Sequence, residues 1–170
     1  RRAGGRVLLG FHARADDRIV PVETCPVAHP EITAALPALR RREALRIAVT
    51  RTEAGLDVAL SRAAPLDAAL RARLGAEAEA ADLARLTVDG ETVARRRPPA
   101  LRIGRARLVP PPGAFLQATA EGEAALVAGV RAAVGDARRV LDLFAGCGTF
   151  TLPLAERAEV HAVEQAATML

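Results

Sequence analysis

The sequence predicts two unlike parts: an α+β module built on an antiparallel sheet, residues 1–110, then the opening half of an α/β domain with a parallel sheet, residues 111–170. Three observations carry this. Short apolar runs that alternate with polar residues recur through the first part, broken by turn residues and helical stretches. Pro110-Pro111-Pro112-Gly113, rich in rigid turn chemistry, ends that pattern. Beyond it the order becomes helix, strand, glycine turn, helix, strand, as in a parallel β-turn-α-β unit.

In the first part, Arg6-Val7-Leu8-Leu9-Gly10-Phe11-His12 and Arg18-Ile19-Val20-Pro21-Val22 flank a polar loop and read as a hairpin. Pro30-Glu31-Ile32 opens a helix, because proline suits its first position and Glu31 its positive end. Ile32, Leu36 and Leu39 form its apolar stripe, Pro37 interrupts it, and Arg40-Arg41-Arg42 complements its dipole. Leu45-Arg46-Ile47-Ala48-Val49-Thr50 and Gly55-Leu56-Asp57-Val58-Ala59-Leu60 make a second hairpin. Leu66, Ala69, Leu70 and Leu74 mark a helix that Gly75 should stop. Leu83-Ala84-Arg85-Leu86-Thr87-Val88 turns at Asp89-Gly90 into Glu91-Thr92-Val93-Ala94, and two short strands then flank Gly104.

In the second part, Thr119 can cap a helix with Glu121 and Glu123 in its first turn and Leu126, Val127, Val130 and Val134 as its core stripe. Gly135 ends it. Val140-Leu141-Asp142-Leu143 then reads as a buried strand, Ala145-Gly146-Cys147-Gly148 as the turn after it, and Val160-His161-Ala162-Val163 as a second strand ending on Glu164. Gly146 and Gly148 let a ligand lie against the main chain, where a Cβ would intervene. Glu164, 16 residues beyond Gly148, is placed to accept hydrogen bonds from two ribose hydroxyls. A dinucleotide fingerprint wants a third glycine, and Thr151 holds that position. Its absence, with Asp142 inside the strand, favours a nucleoside ligand without pyrophosphate, S-adenosylmethionine, over a nicotinamide dinucleotide.

Net charge is +4, and all 24 basic residues are arginine. With no asparagine, tyrosine or tryptophan and abundant alanine, this resembles the codon bias of a GC-rich genome, so arginine abundance alone argues little. Distribution says more: residues 1–110 hold 20 arginines against 13 acidic residues, and residues 111–170 hold 4 against 7. A basic front joined to an acidic rear suits an enzyme that grips a polyanion with one part and does chemistry with the other. No apolar run of 18 residues is present to span a membrane, and Arg1-Arg2 leads into no signal-peptide core, so the cytoplasm is expected. Lacking an initiator methionine and stopping after the second strand of a sheet that needs more, the sequence is expected to be a piece of a longer protein.

The stretch Val140-Leu141-Asp142-Leu143-Phe144-Ala145-Gly146-Cys147-Gly148-Thr149-Phe150-Thr151-Leu152-Pro153-Leu154-Ala155 closely resembles the first cofactor motif of the bacterial RNA uridine-5 methyltransferases. Pro112-Gly113-Ala114-Phe115-Leu116-Gln117-Ala118-Thr119 is similar to that family's Phe-x-Gln-x-Asn element, with Thr119 where asparagine is usual. The resemblance covers the chain, most weakly over residues 66–100. It implies a Rossmann-like class I methyltransferase domain from residue 111 onward, truncated here, and an RNA-binding module before it. Gln117, Asp142, Phe144, Gly146, Gly148, Thr149 and Glu164 are then the residues implied to bind S-adenosylmethionine.

The implied reaction is methyl transfer to carbon 5 of a uridine in RNA. A cysteine thiolate adds to carbon 6, the resulting enolate takes the methyl group, and a glutamate-type base removes the carbon 5 proton. Neither group is expected in this chain; both should lie beyond Leu170. Cys147, in the turn, is expected to pack under the cofactor rather than attack. Cys25, before Pro26, reads alone as a small buried residue. The resemblance makes it the fourth ligand of a [4Fe-4S] cluster whose other ligands lie upstream in the family. That feature favours ribosomal RNA as substrate, with transfer RNA behind it, and a monomer is expected. His12, His29 and His161 read as structural. An NAD-dependent oxidoreductase and a non-catalytic RNA-binding remnant are the competing classes.

Overall fold

A computed structural model describes residues 2–3, 6–35, 46–61 and 65–169. The chain divides into two compact units, Arg1–Pro99 and Ala100–Leu170.

In the first unit, β1 (Arg2–Ala3) pairs antiparallel with β2 (Arg6–Val7), and β3 (Gly10–His12) pairs antiparallel with β4 (Ile19–Pro21). The run expected as one strand from Arg6 to His12 is therefore two, because its pairing partner changes at Leu8 and Leu9. Helix α1 (Pro30–Ala35) starts at the proline, as its fixed φ favours. The rest of the expected stripe, Leu36, Pro37, Leu39 and Arg40 to Arg42, lies outside the described residues.

Strands β5 (Arg46–Thr52) and β6 (Gly55–Ser61) form an antiparallel hairpin closed by Thr52, whose Oγ1 donates to the Gly55 carbonyl at 2.6 Å. Helix α2 (Ala68–Ala80) follows, its first turn capped by Asp67, which accepts from the Leu70 amide at 2.7 Å. Gly75 does not stop it. The alanine- and glutamate-rich stretch after Gly75 is strongly helix-forming, and Leu74 and Ala78 are both buried, so propagation outweighs one glycine's cost of about 1 kcal/mol. Strands β7 (Arg85–Val88) and β8 (Glu91–Arg95) complete a four-stranded sheet in the order β5-β6-β7-β8.

That sheet corrects the expectation of an antiparallel one, because β6 and β7 run parallel. Helix α2 carries the chain back to the end at which β6 began, and a crossover of that kind makes the next strand parallel. Leu56, Val58, Leu60, Leu86 and Val88 from the two central strands pack with Leu74 and Ala78 of α2 to form the core. Asp57 of β6 lies directly opposite Arg85 of β7, and both are buried. The guanidinium grips the carboxylate with two bonds, Nε to Oδ1 at 2.8 Å and Nη2 to Oδ2 at 2.6 Å.

The second unit begins with a hairpin, β9 (Leu101–Ile103) and β10 (Ala106–Leu108). It lies ahead of the proline-rich break, yet its turn packs on later residues of this unit, Pro153 and Glu156. Helix α3 (Ala120–Val134) is capped by Thr119, whose Oγ1 accepts from the Gly122 amide at 3.0 Å, and ends at Gly135. Asparagine accepts the same bond, so threonine here is a chemically equivalent cap. Thr119→Ala is expected to cost about 1 kcal/mol and Thr119→Asn almost nothing, as chemical denaturation will show. Along α3, Val127, Val130 and Val134 are half-buried while Leu126 stays exposed. Strand β11 (Arg139–Leu143), helix α4 (Thr151–Leu154) and strand β12 (Glu159–Val163) then follow in the expected order, with β11 and β12 parallel from Arg139↔Glu159 to Leu143↔Val163; β11 is not the buried strand expected, since among the described residues it pairs on one side only and Leu141 and Leu143 are more than half exposed. Ala167–Met169 closes the described chain as a turn of 3-10 helix.

Candidate cofactor site

The parallel register puts the carboxyl ends of β11 and β12 side by side, and both strands open into loops there. Phe144, the first residue past β11, takes φ 62°, in the left-handed region that a bulky side chain rarely adopts, and its ring is 85% exposed. Such strain, about 1–3 kcal/mol, gathers where function constrains the backbone. The reversal lets the Ala145 amide donate to the Val163 carbonyl at 3.1 Å, tying the turn to the end of β12. Gly146 (φ 56°) and Gly148 (φ 85°) continue the turn in conformations that favour glycine. Their surroundings differ. A Cβ on Gly148 would sit 3.0 Å from Leu152 Cγ, whereas one on Gly146 would meet nothing within 4 Å.

Glu164 leaves the end of β12 and reaches back to this turn. Its Oε2 accepts from the Gly146 amide and its Oε1 from the Ala166 amide, both at 2.9 Å. Those amides, Ala166 first and then Gly146, hold the carboxyl below the ordinary glutamate range against the opposing effect of burial. The glycine turn and the carboxylate are thus joined directly. Asp142, one strand position before Leu143, accepts a hydrogen bond from Thr151 Oγ1 at 2.5 Å, which ties β11 to the first residue of α4.

Thr151 was visible in the sequence only as the residue standing in place of a third glycine; its hydroxyl bond to Asp142 replaces that glycine with a different fastening. The Gln165–Ala166 backbone was not singled out at all, and no side-chain signal could have marked it. Gln117 and Thr149 are half-buried, and no hydrogen bond joins their side chains to this cluster among the described residues. Cys147 is buried, with its Sγ 3.7 Å from Met169 Sδ. Burial, and then the Glu164 charge, push its thiol pKa up, which leaves it a poor nucleophile.

Cys25 is half-buried in the first unit. A [4Fe-4S] centre asks for four thiolates. The two cysteines of this sequence fall short of that, and no group of three or more metal-ligating side chains occurs among the described residues. No described helix is long and apolar enough to cross a membrane.

Two parallel strands, a glycine turn between strand and helix and a carboxylate at the tip of the second strand make a parallel β-α-β unit. No protein-family model matches the chain. It is 44% identical over 172 residues to an uncharacterised RNA methyltransferase of Brucella suis, covering 96% of this chain and 41% of that protein. It is 40% identical over 182 residues to another uncharacterised RNA methyltransferase, of Caulobacter vibrioides, covering 98% and 44%. The 23S rRNA (uracil(1939)-C(5))-methyltransferase RlmD of Alkalilimnicola ehrlichii is 37% identical over 189 residues, covering 99% and 42%. Among solved structures, the Pyrococcus abyssi tRNA (uracil-54, C5)-methyltransferase in complex with S-adenosyl-L-homocysteine shares the fold. Its TM-score is 0.58 at 17% identity, over 89% of this chain and 45% of that one. The chain is thus similar to RNA methyltransferases, a 23S rRNA uracil-C5 enzyme among them, and spans about two fifths of the length of the curated relatives it matches.

Proposed function

We propose that the chain carries the cofactor-binding half, and the RNA-gripping module ahead of it, of an S-adenosylmethionine-dependent enzyme that methylates carbon 5 of a uridine in RNA. One observation carries this: Glu164 at the tip of β12 is hydrogen-bonded to the amide of Gly146, the turn glycine at which a Cβ would meet nothing within 4 Å. An ionised carboxylate there accepts from two ribose hydroxyls, and the open side of Gly146 admits the nucleoside against the main chain. Asp142, fastened to Thr151, sets the turn's angle; Phe144, Thr149 and Gln117 line the pocket in this reading. When bound, the cofactor supplies an electrophilic methyl sulfonium. Cys147, buried and held protonated, packs beneath and takes no part.

Ribosomal RNA is the favoured substrate, supported by the 37% identity to a 23S rRNA enzyme. Transfer RNA is the second reading, supported by the fold shared with a tRNA enzyme. Incubation of the full-length protein with radiolabelled S-adenosylmethionine and each RNA, followed by nucleoside chromatography, is expected to yield 5-methyluridine in 23S rRNA; label in neither RNA refutes the function.

Glu164→Gln is expected to weaken cofactor binding, since it leaves ribose hydroxyls and the Gly146 amide poorly matched. Equal affinities in calorimetry would refute the ribose assignment. A carboxyl held below its unfolded pKa stabilises the folded state above the ordinary carboxylate range, and that contribution is lost as pH falls through the lowered value. The stability gap between the parent and Glu164→Gln should therefore be constant near neutrality and close in acid, as urea denaturation at several pH values will show.

A further inference from the structure

Helix α4 is four residues long, and a helix so short does not hold itself in place: about 12–15 residues are needed before one is even marginally stable alone. Phe150, at its N-cap position, makes no side-chain cap bond. The helix is instead fastened from outside, at both ends. At its start, Thr151 Oγ1 donates to Asp142 Oδ2 of β11 at 2.5 Å. At its other end, Arg131 Nη2, from the last turn of α3, donates to the Pro153 carbonyl and to Glu156 Oε2, each at 2.8 Å. The final carbonyls of a helix lack partners within it, and a guanidinium supplies one while complementing the helix's negative end.

The glycine turn is built directly on this helix. The Leu152 amide donates to the Gly148 carbonyl at 3.0 Å, and the Leu152 side chain lies against Gly148, where a Cβ would come 3.0 Å from Leu152 Cγ. A shift of α4 therefore moves Gly148, and with it Gly146, whose amide meets Glu164. Thr151 and Asp142 are half-buried, and the Arg131 side chain is 33% exposed, so water replaces these fasteners only in part. A binding turn must be held within about 0.5 Å of its productive geometry, and neighbouring side chains secure that rather than the groups that bind.

We propose that Thr151 and Arg131 are positioning residues for the methyl donor: by fastening the two ends of α4 they hold Gly146 and Gly148 in the conformation that receives the nucleoside, and neither touches it. The proposal rests on the S-adenosylmethionine reading of the site. At position 151 the hydroxyl is what counts; serine keeps that donor, whereas valine keeps threonine's shape and loses it. At position 131 the donor must reach a backbone carbonyl, and methionine keeps an unbranched apolar stem without one.

The test measures melting temperature and S-adenosylmethionine affinity, by calorimetry, for the full-length protein and its Thr151→Val, Thr151→Ser and Arg131→Met variants. Affinities are taken well below the lowest melting temperature, so that only folded proteins are compared. Thr151→Val is expected to bind the donor about tenfold more weakly, the loss of one bond to a charged group passed on to the turn. Thr151→Ser should stay within about twofold of the parent, and Arg131→Met should lose at least about threefold. A merely structural role lowers the melting temperatures and leaves every affinity at the parent's value, and that result overturns this proposal alone. So does a Thr151→Ser variant as weak as Thr151→Val, which transfers the effect from the hydroxyl bond to the packing of the methyl group. If Thr151→Val does not fold, Arg131→Met decides from the other end of the helix: parental affinity overturns the proposal, and the expected loss upholds it. A parent protein that binds no S-adenosylmethionine overturns the proposed function and this proposal together.

Discussion

Arg85→Ala is expected to destabilise the first unit by about 3–5 kcal/mol, because it strands the Asp57 carboxylate inside the sheet. Asp57 is 3% exposed, and the Arg85 side chain 8%, so water cannot take the missing partner's place. Asp57→Ala is expected to cost a similar amount. Replacing both with apolar residues of matching size, Asp57→Leu with Arg85→Met, should be neutral or stabilising, since neither desolvation penalty then remains. Urea denaturation of the parent and the three variants checks all three expectations. A single-variant cost below about 1 kcal/mol, the range of exposed ion pairs, would mean that water reaches the bridge.

Gly146→Ala and Gly148→Ala are expected to fail in opposite ways. Gly148→Ala meets Leu152 Cγ at 3.0 Å and Cδ1 at 3.1 Å at a backbone angle already hostile to side chains. It should lose about 2–4 kcal/mol of stability through strain and overpacking. Gly146→Ala meets no neighbour, so its folding cost is only the left-handed backbone term, about 1–2 kcal/mol. Its methyl group points into the space the nucleoside would use, and S-adenosylmethionine affinity should fall by tenfold or more, about 1.4 kcal/mol. Thermal melts and calorimetry on the full-length protein separate the two. Native affinity in Gly146→Ala would show that the open side of the turn is not the binding side.

Helix α3 and the strands β11 and β12 are legible in the sequence to within a residue or two because their signals are local and chemically narrow, whereas the burial of Leu126, Leu141 and Leu143 is not. Thr119 and Gly135 bracket α3, and two short apolar runs either side of a glycine turn leave few alternatives to a parallel pair. The glycine turn and Glu164 were likewise legible as separate parts. Their direct hydrogen bond was not, since it depends on the register of β11 on β12. In the first unit Gly75 misled because a single residue's propensity was weighed without the burial of Leu74 and Ala78 on either side. The direction of β7 was missed for a related reason. Leu86 and Val88 alternate as in any strand, and nothing in that alternation tells which way a neighbour runs. Nothing in the strand run marks Arg85 as buried, and only its position opposite Asp57 distinguishes it.

The parallel seam between β6 and β7 also constrains the order in which the first unit assembles. The outer pairs, β5 with β6 and β7 with β8, are joined by tight turns and can zip up locally within microseconds. Asp57 and Arg85 are 28 residues apart in sequence, so the seam waits until α2 has formed and folded back, at the entropic expense of closing that loop. Until then two preformed hairpins expose bare inner edges, one bearing a lone carboxylate and the other a lone guanidinium. Opposite charges on the two edges favour the one alignment that pairs them, whatever the pair adds to the stability of the finished sheet.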